Sequence, residues 1–188
     1  MIKILSDIDN GLIKKNIVPM VFCFGAWGIA TLFLLRYMEL KVPAIITFLL
    51  LTFQFISSMY DLYSRTIPIK LMIIALIVGL LIFGLLYKTN ALINCVLGGV
   101  VAFGVMKLLI VISKRQVGGG DLFLMTVTGF FSGLNSFLNI LFISIVLAGV
   151  YSLILVFTKK GNRKTEIPFA PFILLATVVL VISGLERL

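Results

Sequence analysis

The chain has 188 residues, of which 61% are hydrophobic and 12% are charged, and its formal net charge is +9. A soluble domain usually has about 45–50% apolar and about 25% charged residues, and small domains bury only about two-thirds of their surface. The composition therefore excludes a water-soluble fold, a disordered chain and a disulfide scaffold, and it indicates a protein whose solvent is the lipid bilayer.

Apolar runs as long as a membrane-spanning helix recur along the chain. Such a helix needs about 20 apolar residues to cross ~30 Å of hydrocarbon. The predicted spans are roughly 17–35, 43–60, 67–87, 91–112, 121–134, 136–157 and 168–185. We expect an all-α fold, a polytopic transmembrane helical bundle of six or seven spans. The short connections leave no room for a soluble domain, so residues 1–188 are expected to form one membrane domain.

The first sixteen residues have a different pattern. Met1, Ile4, Ile8 and Leu12 share one helical face, which predicts an interfacial helix over 1–16 on the membrane surface. No small-x-small site follows the first apolar run, so we do not expect a cleaved signal peptide.

Basic residues are concentrated at alternate ends of the predicted spans. With the amino terminus inside, the inner ends carry Lys3, Lys14, Lys15, Arg65, Lys70, Lys114, Arg115, Lys159, Lys160, Arg163 and Lys164. The outer ends carry Arg36, Lys41, Lys88 and Arg187. Lys107 falls within a span and is expected to snorkel. The positive-inside rule therefore predicts a multi-pass cell-membrane protein with a cytoplasmic amino terminus, and it explains the net charge without nucleic acid.

The amino-acid inventory limits the chemistry. The chain has no histidine and two cysteines, which excludes Ser-His-Asp triads, Cys-His dyads, HExxH zinc sites and four-cysteine zinc sites. We expect no metal and no other cofactor. Acid–base chemistry must use other side chains, including the carboxylates of Asp7, Asp9, Glu39, Asp61, Asp121, Glu166 and Glu186.

Two of these carboxylates stand at span ends. Asp61 ends the second predicted span, and Asp121 opens the fifth after Gly118–Gly120. Two spans separate them, so both are expected at the cytoplasmic boundary. Acidic residues are costly in a membrane and mark functional sites. Taken singly, Asp61 is also explained by pairing with Arg65 at i,i+4, and Asp121 by capping a helix.

A pair of carboxyl groups can hydrolyse a peptide without a metal or a nucleophile. Like charges a few ångströms apart resist joint ionisation, so the pair shares one proton. One carboxyl then activates water and the other protonates the peptide carbonyl. The three glycines allow positive φ and close approach of an extended substrate beside the carboxyl. A flexible hinge would be equally rich in glycine.

These residues resemble a known family. Gly118-Gly119-Gly120-Asp121 with an upstream aspartate resembles the GxGD membrane aspartic proteases. Asp61 followed by Ile67-Pro68 is similar to the type IV prepilin peptidases, and the segment 166–172, Glu-Ile-Pro-Phe-Ala-Pro-Phe, resembles their carboxy-terminal motif. The matches cover about 61–175, within a core of about 43–185.

The resemblance implies that Asp61 and Asp121 are the catalytic pair of an aspartic endopeptidase in the membrane. Its implied substrates are prepilins and pseudopilins of type IV pili and protein secretion. Their short basic leader would be cut after a glycine, at the cytoplasmic face. Residues expected to bind substrate or shape the site are Gly118, Gly119, Gly120, Arg65, Pro68, Pro168, Phe169 and Pro171.

The chain also departs from the family pattern. The loops near the first two spans lack the paired CxxC motifs that many members carry, so we expect a short form without N-methyltransferase activity. Ile69 stands where Asn or Asp often follows Ile-Pro, and Leu122-Phe123 replaces the commoner Val-Lys. These differences are expected to alter substrate preference.

Three alternatives remain open. Presenilin-type or signal-peptide-peptidase-type proteases share the GxGD motif, but they place the aspartates on consecutive spans and have a Pro-Ala-Leu motif. A proton-coupled small transporter could use Asp61 and Asp121 as a relay, although it would need carboxylates near mid-membrane. A structural assembly subunit is the third.

Overall fold

The computed structural model describes residues 10–37, 42–86, 89–112, 118–158 and 167–183. Within these ranges the chain forms six α-helices and no β-strand. They are α1 Asn10–Tyr37, α2 Val42–Ser64, α3 Ile69–Leu86, α4 Thr89–Ile112, α5 Gly119–Phe157 and α6 Ala170–Ile182. The predicted all-α helical bundle is confirmed.

The helices are apolar on their outer as well as their inner faces. By length and composition, three are able to cross a membrane: Ala44–Ser64, Ala91–Ile112 and Gly119–Phe157. The shorter apolar helices are Pro19–Leu34, Ile69–Leu85 and Ala170–Ile182. Large hydrophobic side chains such as Leu85 and Phe157 are mostly exposed. A bundle with an apolar exterior fits contact with lipid, where a helix satisfies its own backbone hydrogen bonds.

Helix α1 begins earlier than the first predicted span. It runs without a break from Asn10 to Tyr37 and contains Pro19, so the boundary expected at residue 16 is not a helix end. The earlier part of the predicted interfacial helix, residues 1–9, lies outside the described residues. Trp27 of α1 stacks on Phe55 of α2 at a ring-centroid distance of 5.3 Å, which fixes α1 against the bundle.

Helix α5 is broken at Gly133. A straight helix of its 39 residues would be ~58 Å long, about twice the hydrocarbon thickness. Gly133 has non-helical backbone angles, φ 71° and ψ 173°. Asn94 of α4 fills the space beside it: the Asn94 Oδ1 accepts a 3.4 Å hydrogen bond from the N–H of Leu134. The break divides α5 where the sequence predicts a change from one span, 121–134, to the next, 136–157.

The two parts of α5 fold back on each other. Asp121, near its start, lines one cavity with Asp61, and the carboxylate of Asp61 is hydrogen-bonded to Ala170. Near the other end of α5, Tyr151 packs on Phe172 with ring centroids 5.4 Å apart. A straight α5 would separate Asp121 from Tyr151 by ~45 Å. Both ends of α5 therefore lie at the end of the bundle where α6 begins.

The first part of α5 lies in the centre of the bundle and touches α4 closely. A Cβ atom on Gly98 would collide with the backbone of Gly129, and one on Gly129 would lie 2.5 Å from the Gly98 carbonyl oxygen. Small residues permit this approach between membrane helices. On the other side Phe83 packs edge-on against Phe130 and Phe131. This packing holds the start of α5 beside α2 and α3.

Candidate active site

Several helix ends meet at one end of the bundle. The carboxyl end of α2 and the amino ends of α3 and α5 enclose a cavity of about 400 Å³. Its lining residues are Asp61, Arg65, Thr66, Ile67, Ile69, Gly118, Gly119, Gly120 and Asp121. Sequence segments separated by up to two whole helices thus line one cavity, and both aspartates are among them.

Asp61 lies in the last turn of α2, which continues to Ser64. The residue is only 7% exposed. Its Oδ2 accepts a 3.0 Å hydrogen bond from the backbone N–H of Ala170, the first residue of α6. The backbone N–H of Phe169 and the positive charge of Arg65 also stabilise the ionised carboxylate. Asp61 therefore lies at the positive end of the α6 dipole.

The sequence around the start of α6 explains why this donor is available. The first N–H groups of a helix have no acceptor within the helix. Pro171 has no N–H, and the N–H groups of Phe172 and Ile173 both point to the Phe169 carbonyl, at 3.0 and 3.3 Å. The N–H of Ala170 therefore has no acceptor within its own helix, and it donates to the carboxylate of Asp61 on α2.

Asp121 is the third residue of α5 and is half-buried. Its own N–H donates to the carbonyl of Gly118, at 3.2 Å, and the Gly118 N–H faces its carboxylate. Gly118 occupies the N-cap position, and no side-chain hydrogen bond caps the helix. The alternative explanation of Asp121 as the N-cap residue is therefore wrong.

The two carboxylates form a pair. They line the same cavity, and the charge of Asp61 acts on Asp121. Two carboxylates that interact in a partly buried site bind one proton between them more readily than they ionise together. The arrangement can supply a base and an acid to one substrate group.

The three glycines have different roles. A Cβ atom on Gly120 would lie 2.8 Å from the Cβ of Ile67, whereas one on Gly119 would meet none of the described residues within 4 Å. Gly118 has φ −68°, and among the described glycines only Gly133 has a positive φ. The expected use of positive φ is therefore wrong, and the close approach at Gly120 is made by the chain's own Ile67.

Arg65 has an uncommon backbone conformation. Its φ is 56°, the one positive φ of a non-glycine residue in the described part of the chain. It follows the last residue of α2, and its N–H donates to the Asp61 carbonyl at 3.1 Å. Glycine is the usual residue at this position after a helix. A left-handed conformation costs an L-residue roughly 1–2 kcal/mol, and such strain is concentrated at functional sites.

The other predicted site residues lie at the starts of α3 and α6. Pro68 precedes α3, and its carbonyl accepts the N–H of Leu71 at 3.0 Å. Pro168 precedes α6, Phe169 is its N-cap residue and Pro171 lies in its first turn. These residues set the helix starts and do not line the cavity. The backbone N–H of Phe169 also faces the carboxylate of Asp61.

Lys107 and the cysteines lie away from the aspartate pair. Lys107 is exposed on α4, with its Nζ 5.6 Å from the centroid of the Phe103 ring. Cys23 and Cys95 are buried free thiols. Within the described ranges no three histidine, cysteine, aspartate or glutamate residues are grouped so that they could hold a metal ion. Glu166 lies outside the described residues.

The sequence does not predict the contact of Ala170 with Asp61, although Ala170 lies within the segment 166–172. Its contribution comes from the backbone, so its side chain gives no signal. A usable signal exists in its neighbours, because a helix start in which proline removes one donor leaves the adjacent N–H to bind an anion.

Residues 48–153 match the type IV leader peptidase family. This match covers more than half of the chain and includes both aspartates. The chain belongs to the type IV leader peptidase family. Comparisons with curated proteins and with solved structures gave no match. As a type IV leader peptidase the chain is a membrane protease, and the fold and the cavity at its helix ends agree with that assignment. The family match ends before α6, so the contribution of Ala170 rests on geometry alone.

Proposed function

We propose that this leader peptidase is an aspartic endopeptidase that removes the basic leader of prepilin-like proteins at the cytoplasmic face of the cell membrane, after a glycine. The observation that carries the proposal is the pairing of Asp61 and Asp121 in one cavity at the end of the bundle. Membership of the type IV leader peptidase family supports prepilin-type substrates in general.

The surroundings of the two carboxylates differ, and this gives them different roles. Asp61 accepts the Ala170 N–H and lies near the charge of Arg65, so it is the ionised base. Asp121 has the Gly118 N–H as its neighbour and faces the negative charge of Asp61, so it carries the shared proton. Hydrogen bonds to a carboxylate stabilise its charged form, and a nearby like charge destabilises it.

The reaction follows from this assignment. Asp61 takes a proton from water as the water oxygen attacks the scissile carbonyl carbon, and Asp121 gives its proton to the carbonyl oxygen. The product of this step is a neutral gem-diol. Asp61 then protonates the leaving nitrogen as the C–N bond breaks, and Asp121 recovers a proton from one diol hydroxyl. Both carboxyl groups return to their starting states.

The position of the pair also supports cleavage at a membrane boundary. Asp61 lies in the last turn of α2 and Asp121 in the first turn of α5, so neither is near the middle of its helix. A proton relay across the membrane would need carboxylates deeper in the bundle. The basic segments 113–117 and 158–167 adjoin this end in sequence, and the positive-inside rule then supports a cytoplasmic site.

We further propose that the chain acts as a peptidase only. The cysteine motifs associated with methylation are missing from the sequence, and Cys23 and Cys95 are both buried. The new amino terminus of the substrate is then expected to leave this enzyme unmethylated, which mass spectrometry of the product measures.

The decisive experiment is cleavage of a prepilin-like substrate by the purified full chain in liposomes. Asp61→Asn and Asp121→Asn keep size and polarity but remove the shared proton, so each is expected to abolish cleavage while insertion stays normal. Asp9→Asn is the matched control and should keep most of the activity. If Asp121→Asn retains more than a few per cent of the wild-type rate, the aspartic mechanism is wrong. Mass spectrometry of the two products identifies the scissile bond.

A further inference from the structure

A buried polar contact joins three helices inside the bundle. Gln54 of α2 is fully buried. Its Nε2 donates to the Oγ1 of Thr128 on α5, at 3.1 Å, and to the Oγ1 of Thr177 on α6, at 2.9 Å. Both threonines are also fully buried. We call Gln54, Thr128 and Thr177 the Gln54 triad. It lies outside the cavity and takes no part in the proposed chemistry.

The Gln54 triad has the same register as the groups of the active site. Gln54 precedes Asp61 by seven residues on α2, Thr128 follows Asp121 by seven on α5, and Thr177 follows Ala170 by seven on α6. Seven residues are close to two helical turns, so each pair shares a helix face and is separated by ~10 Å along the axis.

The three helices that bring the catalytic groups together are thus joined a second time, two turns deeper. The outer junction consists of the two carboxylates and the Ala170 N–H. The inner junction is the Gln54 triad. Sliding any one of the helices along its axis would break the inner hydrogen bonds and displace the outer groups together.

Both threonine hydroxyls of the Gln54 triad act as acceptors toward the glutamine amide. The hydroxyl of Thr128 donates to the Leu124 carbonyl at 2.9 Å, and that of Thr177 donates to the Ile173 carbonyl at 3.0 Å. Each hydroxyl has one proton, so each accepts from the glutamine. Both N–H bonds of the amide are therefore used, and its Oε1 is buried without a partner among the residues that the structure describes.

The Gln54 triad is not an arrangement that contributes much to stability. A buried polar atom without a partner is destabilising, and replacing a buried polar cluster by apolar groups of the same shape is often neutral or stabilising. A single buried polar contact can instead fix the register of packed helices, as a buried asparagine does in coiled coils. The directional hydrogen bonds of Gln54 fit that role.

We propose that Gln54 is a positioning residue that fixes the axial register of α2, α5 and α6 and thereby the geometry of Asp61, Asp121 and the Ala170 N–H. The proposal rests on the proposed function of the aspartate pair. A misplacement of about 1 Å can cost about 100-fold in rate, whereas one residue of helix slip is ~1.5 Å.

The first test is Gln54→Met, which keeps the length of the side chain and removes its hydrogen bonds. The expected result is a kcat reduced by about tenfold or more, a KM changed less than about twofold and a melting temperature that is unchanged or higher. A wild-type kcat for Gln54→Met overturns the proposal.

The second test separates positioning from stability and does not depend on the folding of Gln54→Met. Thr128→Val and Thr177→Val keep the shape of the side chain but remove the acceptor and leave one Gln54 N–H buried without that partner, so they should lower both kcat and the melting temperature. Thr128→Ser and Thr177→Ser keep the hydroxyl and should retain kcat although they lose a buried methyl group. Activity that instead follows the melting temperature across the four variants overturns the proposal.

A control variant lies on α5 away from the Gln54 triad. Ser144 is fully buried and donates to the Leu141 carbonyl at 2.9 Å, so Ser144→Ala should leave kcat unchanged. The Asp→Asn variants keep the two proposals distinct. If they are inactive while Gln54→Met is fully active, only the proposal that Gln54 positions the site is wrong. If Asp121→Asn is active, the proposed function is wrong.

Discussion

The carboxylate of Asp61 accepts a 3.0 Å hydrogen bond from the backbone N–H of Ala170, 109 residues further along the chain. This contact joins the last turn of α2 to the first turn of α6. Backbone donors at a helix start stabilise an anion without adding a titratable group of their own. The contact favours the ionised form of one carboxyl of the pair, and no such contact from Ala170 reaches the other.

The glycines before Asp121 provide a matched pair of substitutions. Gly120→Ala would place a Cβ atom 2.8 Å from the Cβ and 3.4 Å from the backbone nitrogen of Ile67, and neither atom can move unless the backbone that connects α2 to α3 moves with it. We expect a loss of about tenfold or more in kcat. Gly119→Ala meets open space and should keep most of the activity. Cleavage kinetics of the two variants measure the difference.

A second substitution, at Ile67, tests whether the contact with Ile67 causes the loss of activity in Gly120→Ala. Ile67→Gly removes the overlapping Cβ atom, so adding it to Gly120→Ala should restore part of the lost rate in a double-mutant cycle. Equal rates for Gly119→Ala and Gly120→Ala would show that the contact between Ile67 and Gly120 does not position Asp121.

Substitutions at Arg65 separate the effect of its positive charge from the effect of its strained backbone. Its φ of 56° is unstrained for glycine, so Arg65→Gly should raise stability by up to about 1 kcal/mol. The same change removes the positive charge near Asp61 and should lower activity. Arg65→Lys keeps the charge and should retain more activity than Arg65→Gly. Thermal unfolding and cleavage rates are measured together, and an Arg65→Gly variant as active as the wild type would contradict a role for the guanidinium.

The shared proton predicts a bell-shaped dependence of cleavage on pH. At low pH both carboxyl groups are protonated and no base remains, and at high pH both are ionised and no acid remains. The rate should therefore fall on both sides of one maximum, while substrate binding changes little. A rate that rises without limit towards alkaline pH would indicate a different base.

Gly133 should be intolerant of a side chain. It combines a φ of 71° with a Cβ position 2.6 Å from the Nδ2 of Asn94. Its ψ of 173° places it in a backbone region that is essentially restricted to glycine, so Gly133→Ala is expected to lower the free energy of unfolding by roughly 1–3 kcal/mol from the backbone alone. Gly149 is on the same helix and has open space around it, so Gly149→Ala should be neutral or stabilising. Thermal unfolding in detergent distinguishes them, and equal melting temperatures would argue against the break.

The membrane orientation can be measured by cysteine labelling. The native thiols, Cys23 and Cys95, are buried and give a low background. A cysteine at Ser113, next to the basic pair 114–115, should react in intact cells with a permeant reagent only. A cysteine at Lys88, at a predicted outer end, should react with an impermeant reagent as well. Labelling of position 113 from outside would contradict a cytoplasmic active site.

The helices and the aspartate pair could be predicted because their signals are local. Long apolar runs indicate helices in a membrane, and Asp61 and Asp121 stand out as charges at the ends of such runs. The break at Gly133 lies within one residue of the predicted end of the span 121–134, because the end of an apolar run is also a local signal. The start of α1 at Asn10 could not be predicted, because apolar periodicity becomes weak where polar residues continue a helix.

The contacts between helices left no local signal. The packing of Ile67 on Gly120, the N–H that Ala170 donates and the bonds of Gln54 depend on which helix faces reach each other in three dimensions. A glycine next to an aspartate is compatible with substrate access and with helix contact alike. Only the positions of the neighbouring atoms separate these interpretations.

The depth of the aspartate pair determines what the substrate must undergo. Polar backbone groups inside hydrocarbon have no water to bind, so unwinding a helix there costs several kcal/mol for each broken hydrogen bond. Asp61 and Asp121 lie at helix ends, so in the proposed function a peptide bond would reach them after its chain has left the hydrocarbon. The apolar helix of a substrate can then stay intact during cleavage. In the proposed function, the end of that helix at the membrane surface would determine which bond is cut, because the bond would be selected by its distance from the bilayer.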